Sequence, residues 1–156
     1  MALENPGDGF DAILADGLTG TKFIKELGLS SVGVNYDVCN ALTYSLNELD
    51  MLTEIETTVL DEAITHLHLK DMRRNSEGFL EFCPIGEGIV DYTNFFKKLV
   101  QRGRFIPLSL EMPIQFYRGS DNLMVAKDFG ITPAQMLDVL KTSRENIDKH
   151  LKDFTE

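Results

Sequence analysis

The feature that most restricts this chain is an alternation: short apolar runs of strand character, each followed by a stretch of helical periodicity, recur four times along 156 residues. Met1-Ala-Leu-Glu-Asn5, Val32-Gly-Val-Asn-Tyr-Asp37, Ile64-Thr-His-Leu-His-Leu69 and Ile106-Pro-Leu-Ser-Leu-Glu-Met112 read as strands. After the first come a loop at Pro6-Gly-Asp-Gly9, a short helix over Phe10–Ala15, and a helix over Lys22–Leu27 closed by Gly28. A polar loop is expected around Asn40–Asn47, then a helix over Thr53–Ala63 with Ile55, Val59 and Leu60 on one face. Asp91 caps a helix over Tyr92–Gln101 that buries Phe95, Phe96, Leu99 and Val100 and stops at Gly103; Thr132-Pro133 opens a last helix to about Leu151. Alternation of this kind means parallel strands joined by helical crossovers, hence an α/β architecture in one domain over residues 1–156, with no linker or repeat.

Charge narrows the partners. Acidic residues outnumber basic ones 25 to 15, a formal charge of −10, and that field repels phosphate backbones and anionic membranes. Cys39 and Cys83 are too few for a disulfide framework, and the N-terminus lacks the basic-then-apolar layout of a signal peptide, so a reducing cytoplasm fits. No apolar run approaches the roughly 20 residues of a membrane helix.

Each of the four strands ends at or near a side chain able to ligate a metal: Glu4, Asp37, His68 and Glu111. In parallel α/β folds, ligands and catalytic groups gather at the C-terminal strand ends, so these four are expected to converge. Three carboxylates and one imidazole make an oxygen-rich site for one divalent ion, Mn²⁺ first, with Mg²⁺ or Co²⁺ as alternatives. Taken singly, each would read as a cap, a surface charge or a satisfied polar group; the coincidence of all four carries the reading.

The stretch His66-Leu-His-Leu-Lys-Asp71, then Pro84-Ile-Gly-Glu-Gly-Ile-Val-Asp91, a helix, and Leu108-Ser-Leu-Glu-Met112 resembles the closing half of xylose-isomerase-like barrels, the family of sugar and sugar-phosphate isomerases and epimerases that includes endonuclease IV. The resemblance covers nearly the whole chain and implies a half (β/α)₈ TIM barrel holding strands five to eight. It further implies that Glu4, Asp37, His68 and Glu111 bind one metal, and that Glu4 and Glu111 serve as acid and base through an enediolate. Arg74, six residues past the histidine, would contact substrate. The family pattern places histidine three residues after the strand-six aspartate, whereas this chain has Asn40, able to hydrogen-bond a sugar hydroxyl but a poor metal ligand. The absence of that histidine, the absence of a further aspartate and histidine from the loop Met72–Glu81, and the acidic net charge turn the reading away from endonuclease IV and DNA.

Other residues have plainer expectations. Lys70 and Asp71 order the site loop or touch substrate, or else form a local ion pair; Arg73, Arg74 and Lys70 are candidates for receiving a phosphate. The long connection Lys70–Gly88 reads as a functional loop. His66 is expected to be buried and hydrogen-bonded one layer below His68, His150 solvated, and both cysteines inert. A complete barrel needs about 250 residues. The rivals to an enzyme are therefore a catalytically incomplete half-barrel fragment and a sugar-binding module, and the unpaired sheet edges point to a homodimer or to a partner chain carrying the first half.

Overall fold

The computed structural model describes residues 1–6, 14, 16–45 and 50–152; the helix expected over Phe10–Ala15 lies largely outside them. Along the chain run β1 (Ala2–Glu4), α1 (Gly17–Leu27), β2 (Gly33–Asp37), α2 (Val38–Tyr44), α3 (Met51–Glu54) continuing into a π-helical turn (Ile55–Val59), β3 (Ile64–Leu69), β4 (Asp71–Arg74) and β5 (Leu80–Cys83). Then follow α4 (Tyr92–Gln101), β6 (Leu108–Leu110), β7 (Phe116–Arg118), β8 (Met124–Ala126) and α5 (Pro133–Lys152).

The four expected strands form one sheet in the order β1-β2-β3-β6, parallel throughout. Glu4 stands opposite Asn35, Asp37 opposite His68, and His68 opposite Ser109. Side chains alternate across a strand. Val34, Tyr36, Leu67 and Leu69 are fully buried, while Asn35, Asp37, His66 and His68 share the face that carries the polar site. Helices cover the apolar face. On α4, Tyr92, Phe95, Phe96 and Leu99 are buried at i, i+3, i+4 and i+7, with the three rings packed 5.6–5.8 Å apart. Each such burial stabilises by about 1.5–3 kcal/mol.

Several local expectations change. α1 starts at Gly17 instead of Lys22, because the Asp16 side chain accepts from the Thr19 N–H at 2.7 Å in a capping box. Its end is as expected, with Gly28 at φ 64° in the left-handed region. The polar loop expected from Asn40 is a helix through Tyr44: Asp37 caps it by accepting from the Asn40 N–H at 2.9 Å, and Val38, Cys39, Ala41 and Leu42 are buried. The helix expected over Thr53–Ala63 gives way at Ile55 to a π turn, and the Leu60 N–H reaches back to the Ile55 carbonyl. The outer strands are shorter than expected.

The largest correction concerns the two long connections. β4 and β5 form a hairpin inside Lys70–Gly88, and β7 and β8 form another before α5; together they make an antiparallel sheet in the order β4-β5-β7-β8. No helix among the described residues is long and apolar enough to cross a membrane.

Candidate metal centre

The parallel register brings the four predicted side chains to one end of the sheet. One ligand atom from each of Glu4, Asp37, His68 and Glu111 lies within 4.8 Å of the others. His68 Nδ1 sits between the two glutamates, 3.2 Å from Glu4 Oε1 and 3.1 Å from Glu111 Oε2. Glu111 lies one residue beyond β6, and its N–H, donated to the Leu69 carbonyl at 3.1 Å, prolongs the ladder far enough to place it.

Lys70, 5% exposed, completes the cluster. Its Nζ lies 3.0 Å from Glu111 Oε2 and 3.1 Å from Asp37 Oδ2, and it donates to Asn40 Oδ1 at 3.1 Å. The main chain of Lys70 is held by Tyr92, whose hydroxyl donates to the Lys70 carbonyl at 2.8 Å and accepts its N–H at 3.1 Å. The local ion pair with Asp71 is not formed, because successive residues leave the strand on opposite sides.

Two asparagines join the cluster that sequence reasoning missed. Asn5 faces the Asp37 main chain, donating from Nδ2 to its carbonyl at 2.8 Å and accepting its N–H on Oδ1 at 2.7 Å. Asn35 donates to Glu4 Oε2 at 3.3 Å. The signal for Asn35 was its position two residues before Asp37, on the same strand face; for Asn5 there was none without the register. Asn40 holds the site together as well as facing it, donating to the Asn5 carbonyl at 3.0 Å and to Glu4 Oε1 at 3.3 Å.

Burial pushes the Asp37 carboxyl up to about 6, against the opposing pull of Lys70 and the Asn40 N–H. Burial raises Glu111 too, but Lys70 and then His68 outweigh it and hold that carboxyl below its ordinary range. For Lys70, burial favours the neutral amine, yet Asp37 and Glu111 prevail and keep it above the usual lysine value. The donor set suits a divalent cation with oxygen preference. Moreover, Asp37 Oδ2 is buried and accepts no hydrogen bond, Lys70 being close but off the hydrogen-bond direction. An unsatisfied buried carboxylate oxygen is what a cation would satisfy.

The remaining predicted residues fall elsewhere. Arg74 is exposed on β4 and donates to the Gly78 carbonyl at the hairpin turn, 3.1 Å away. Arg73 pairs with Glu87 at 3.5 Å. His66 is hydrogen-bonded as expected, to Ser109 Oγ at 2.7 Å, but half-buried instead of buried. His150 is not merely solvated: its ring lies 6.3 Å from that of Phe96 and its Nδ1 3.3 Å from Thr93 Oγ1, so it helps seat α5 on α4. Both cysteines are buried, and burial pushes Cys83 up to about 12 and Cys39 well above its ordinary value, which leaves them inert as expected.

Asp71 does something different. It is fully buried and accepts four main-chain N–H groups, from Met72 (2.9 Å), Gly86 (2.9 Å), Gly88 (2.9 Å) and Val90 (3.2 Å), which clasps the Pro84–Val90 segment. Gly88 is required there, since a Cβ would come within 2.2 Å of Asp71 Oδ1 and 2.3 Å of the Met72 carbonyl. Burial still pushes Asp71 up to about 6, with those N–H groups opposing it.

A family model described as xylose isomerase-like TIM barrel matches residues 1–138, in keeping with the parallel strand order. The chain belongs to this family. Among curated proteins a sequence search found no match. Three solved structures share the fold. A xylose isomerase-like TIM barrel protein from Mycobacterium smegmatis, in complex with magnesium, is 19% identical with a TM-score of 0.66, over 99% of this chain and 44% of that one. A xylose isomerase domain protein from Planctomyces limnophilus is 18% identical (TM-score 0.63, 98% and 47%), and an L-ribulose 3-epimerase is 18% identical (TM-score 0.66, 97% and 47%). The xylose isomerase-like chain thus spans less than half the length of these neighbours, and its four parallel strands make half of an eight-stranded barrel.

Proposed function

We propose that this chain supplies the metal-binding half of a sugar or sugar-phosphate isomerase or epimerase, with Glu4, Asp37, His68 and Glu111 holding one divalent ion. The observation that carries the reading is the convergence of these four side chains from four strand ends to within 4.8 Å. A bound cation of this kind would polarise a substrate carbonyl and stabilise the negative charge that develops as the neighbouring carbon loses its proton. Mn²⁺ is the favoured ion; an L-ribulose 3-epimerase and a magnesium complex stand among the neighbours.

The chain's own groups divide the remaining work. Glu4 and Glu111 reach the same His68 nitrogen from two different strand ends, and the reading gives one carboxylate the proton taken from a substrate carbon and the other the proton returned. Return to the same carbon inverts it; return to the neighbouring carbon exchanges aldose and ketose. Asn40 and Lys70 are polar groups for substrate hydroxyls at the wall of the site, and Arg74 would have to leave the Gly78 carbonyl to meet the far end of a sugar or its phosphate. Metal analysis of the purified chain, followed by an NMR assay of solvent deuterium entering a panel of ketoses and ketose phosphates, tests this. A metal-free chain that binds no divalent ion at millimolar concentration overturns it.

The surface also favours a second element of the reading, association. Among the described residues no strand pairs with the outer edge of β1 or β6, and beside β6 lies an apolar groove lined by Phe96, Leu99, Phe105, Ile106, Leu108 and Leu151. Phe105 is 89% exposed. The face carrying the cluster is by contrast polar, continuing into Asn35, His66 and Ser109. Two free parallel edges on four strands allow a second copy to complete eight strands about a two-fold axis, and we assign the groove to that copy. Such a pair would face one acidic cluster with another, so its turnover is expected to be weak. Sedimentation at micromolar concentration should show a species heavier than 17.6 kDa that Phe105→Glu returns to monomer. A wild-type monomer would overturn the assignment. A reducing cytoplasm is the compartment consistent with two unpaired thiols.

A further inference from the structure

We propose that Lys70 is a built-in counter-ion of the metal centre, a positioning residue that holds its carboxylates convergent and sets the charge of the site to match a single divalent cation. The inference rests on the metal reading above and deepens it.

The geometry is specific. Three oxygens from three elements meet one ammonium: Asp37 Oδ2 from the end of β2 at 3.1 Å, Asn40 Oδ1 from α2 at 3.1 Å, and Glu111 Oε2 from beyond β6 at 3.0 Å. Asp37 and Lys70 are 0% and 5% exposed, so neither charge is screened by water. A lysine has three donors and no acceptor, and here three oxygens lie within 3.1 Å of the ammonium, the Asn40 oxygen as a hydrogen-bond acceptor and the two carboxylate oxygens as ion-pair partners. The stem cannot easily swing away, because the Tyr92 hydroxyl holds both main-chain polar groups of Lys70 and the ammonium lies 5.9 Å from the centre of the Phe82 ring. This is a fixed charge, unlike a surface lysine that samples many rotamers.

Its consequence is arithmetic of charge. Glu4, Asp37 and Glu111 carry −3 when ionised, His68 adds no charge as a ligand, and Lys70 brings the sum to −2, the complement of one divalent ion. Without Lys70 the donors would sum to −3, better matched to a trivalent ion. Every group facing Lys70 accepts from it or attracts it, so the lysine also keeps the carboxylates from springing apart when no cation is bound.

The test is a ratio. Mn²⁺ affinity, read by electron paramagnetic resonance, and Tb³⁺ affinity, read by luminescence, are measured for the wild-type chain and for Lys70→Met, which keeps the apolar stem and removes the charge. Loss of shape alone would change both affinities by the same factor, whereas loss of a nearby positive charge favours the ion of higher charge. The Tb³⁺/Mn²⁺ affinity ratio is expected to rise roughly ten-fold in Lys70→Met and to return to the wild-type value in Lys70→Arg. Lys70→Gln, which retains a donor for Glu111, gives the same readout should the methionine variant fail to fold. An unchanged ratio with binding intact overturns the counter-ion proposal alone. No binding of either ion by any of the chains overturns the metal reading and this inference with it, and failure of all three variants to fold makes Lys70 a packing residue and also overturns it.

Discussion

Lys70 and Asp71 are neighbours in the chain, opposite in charge and both buried, yet they are neutralised in opposite ways. Lys70 faces the parallel sheet and is met by two carboxylates and an amide oxygen from three other segments. Asp71 faces the antiparallel sheet and is met by four main-chain N–H groups, three of them in the segment that follows β5. Side-chain charges can be exchanged for a cation or a substrate hydroxyl without unfolding anything. Main-chain dipoles cannot, since each belongs to the path of the backbone. One residue step therefore separates a region built to trade partners from one built to keep them.

The largest effect expected from breaking this contrast lies on the reactive side. In whichever assembly turns substrate over, Glu4→Gln or Glu111→Gln should each lower deuterium exchange by at least about 100-fold, as loss of a general acid or base does. Asn40→Ala should do less. Retention of wild-type exchange by either glutamine variant would sink the two-carboxylate scheme. On the structural side, Asp71→Ala leaves four main-chain N–H groups without their acceptor, those of Met72 and Val90 in buried residues, and should cost about 3 kcal/mol in urea unfolding. Amide hydrogen exchange should then quicken at Gly86, Gly88 and Val90 first, with the Mn²⁺ affinity of the folded fraction unchanged.

A smaller change sharpens the same point. Gly88→Ala forces a methyl group against Asp71 and the Met72 carbonyl and should destabilise by about 2 kcal/mol; a neutral outcome would mean that the clasp is slack. The smallest effect is a dependence on pH. Asp37 and Asp71 both have folded values raised to about 6 from the ordinary 3.8, so each contributes stability that is fully present below 3.8 and lost as pH rises through 6. The metal-free chain should therefore gain about 1 kcal/mol per group on going from pH 7 to pH 5, half of which Asp71→Ala removes. Stability that instead falls steadily below pH 7 would contradict the burial of both carboxyls.

The two regions were unequally legible in the amino-acid order. Val32–Asp37 and Ile64–Leu69 are rich in apolar residues and end near Asp37 and His68, as the outer strands end near Glu4 and Glu111, so the parallel sheet and the convergence of these four side chains could be read directly. Asp71-Met-Arg-Arg74 and Leu80-Glu-Phe-Cys83 carry no such pattern: they are four residues each, charged, and acquire strand character from pairing with one another and with Phe116–Arg118 far along the chain. Short strands of that kind are decided by partners and not by composition. The helix at Val38–Tyr44 is hidden for another reason: Asp37 reads as a strand end, and its second role as a helix cap depends on the backbone turn that brings the Asn40 N–H to its carboxylate. Asn5 was overlooked because its role is defined by what stands opposite it.

That asparagine has a consequence for the protein's durability over time. Its amide imitates a peptide group and continues the ladder between β1 and β2 for one more rung, which sets the relative height of Glu4 and Asp37. An asparagine ages by attack of the following residue's backbone nitrogen on its side-chain amide, a route that would turn this rung into a carboxylate repelling the Asp37 carbonyl. Here the following residue is Pro6, whose nitrogen bears no hydrogen and cannot complete that attack. The rung beneath the acidic cluster is thus shielded from spontaneous deamidation by the residue that ends its strand.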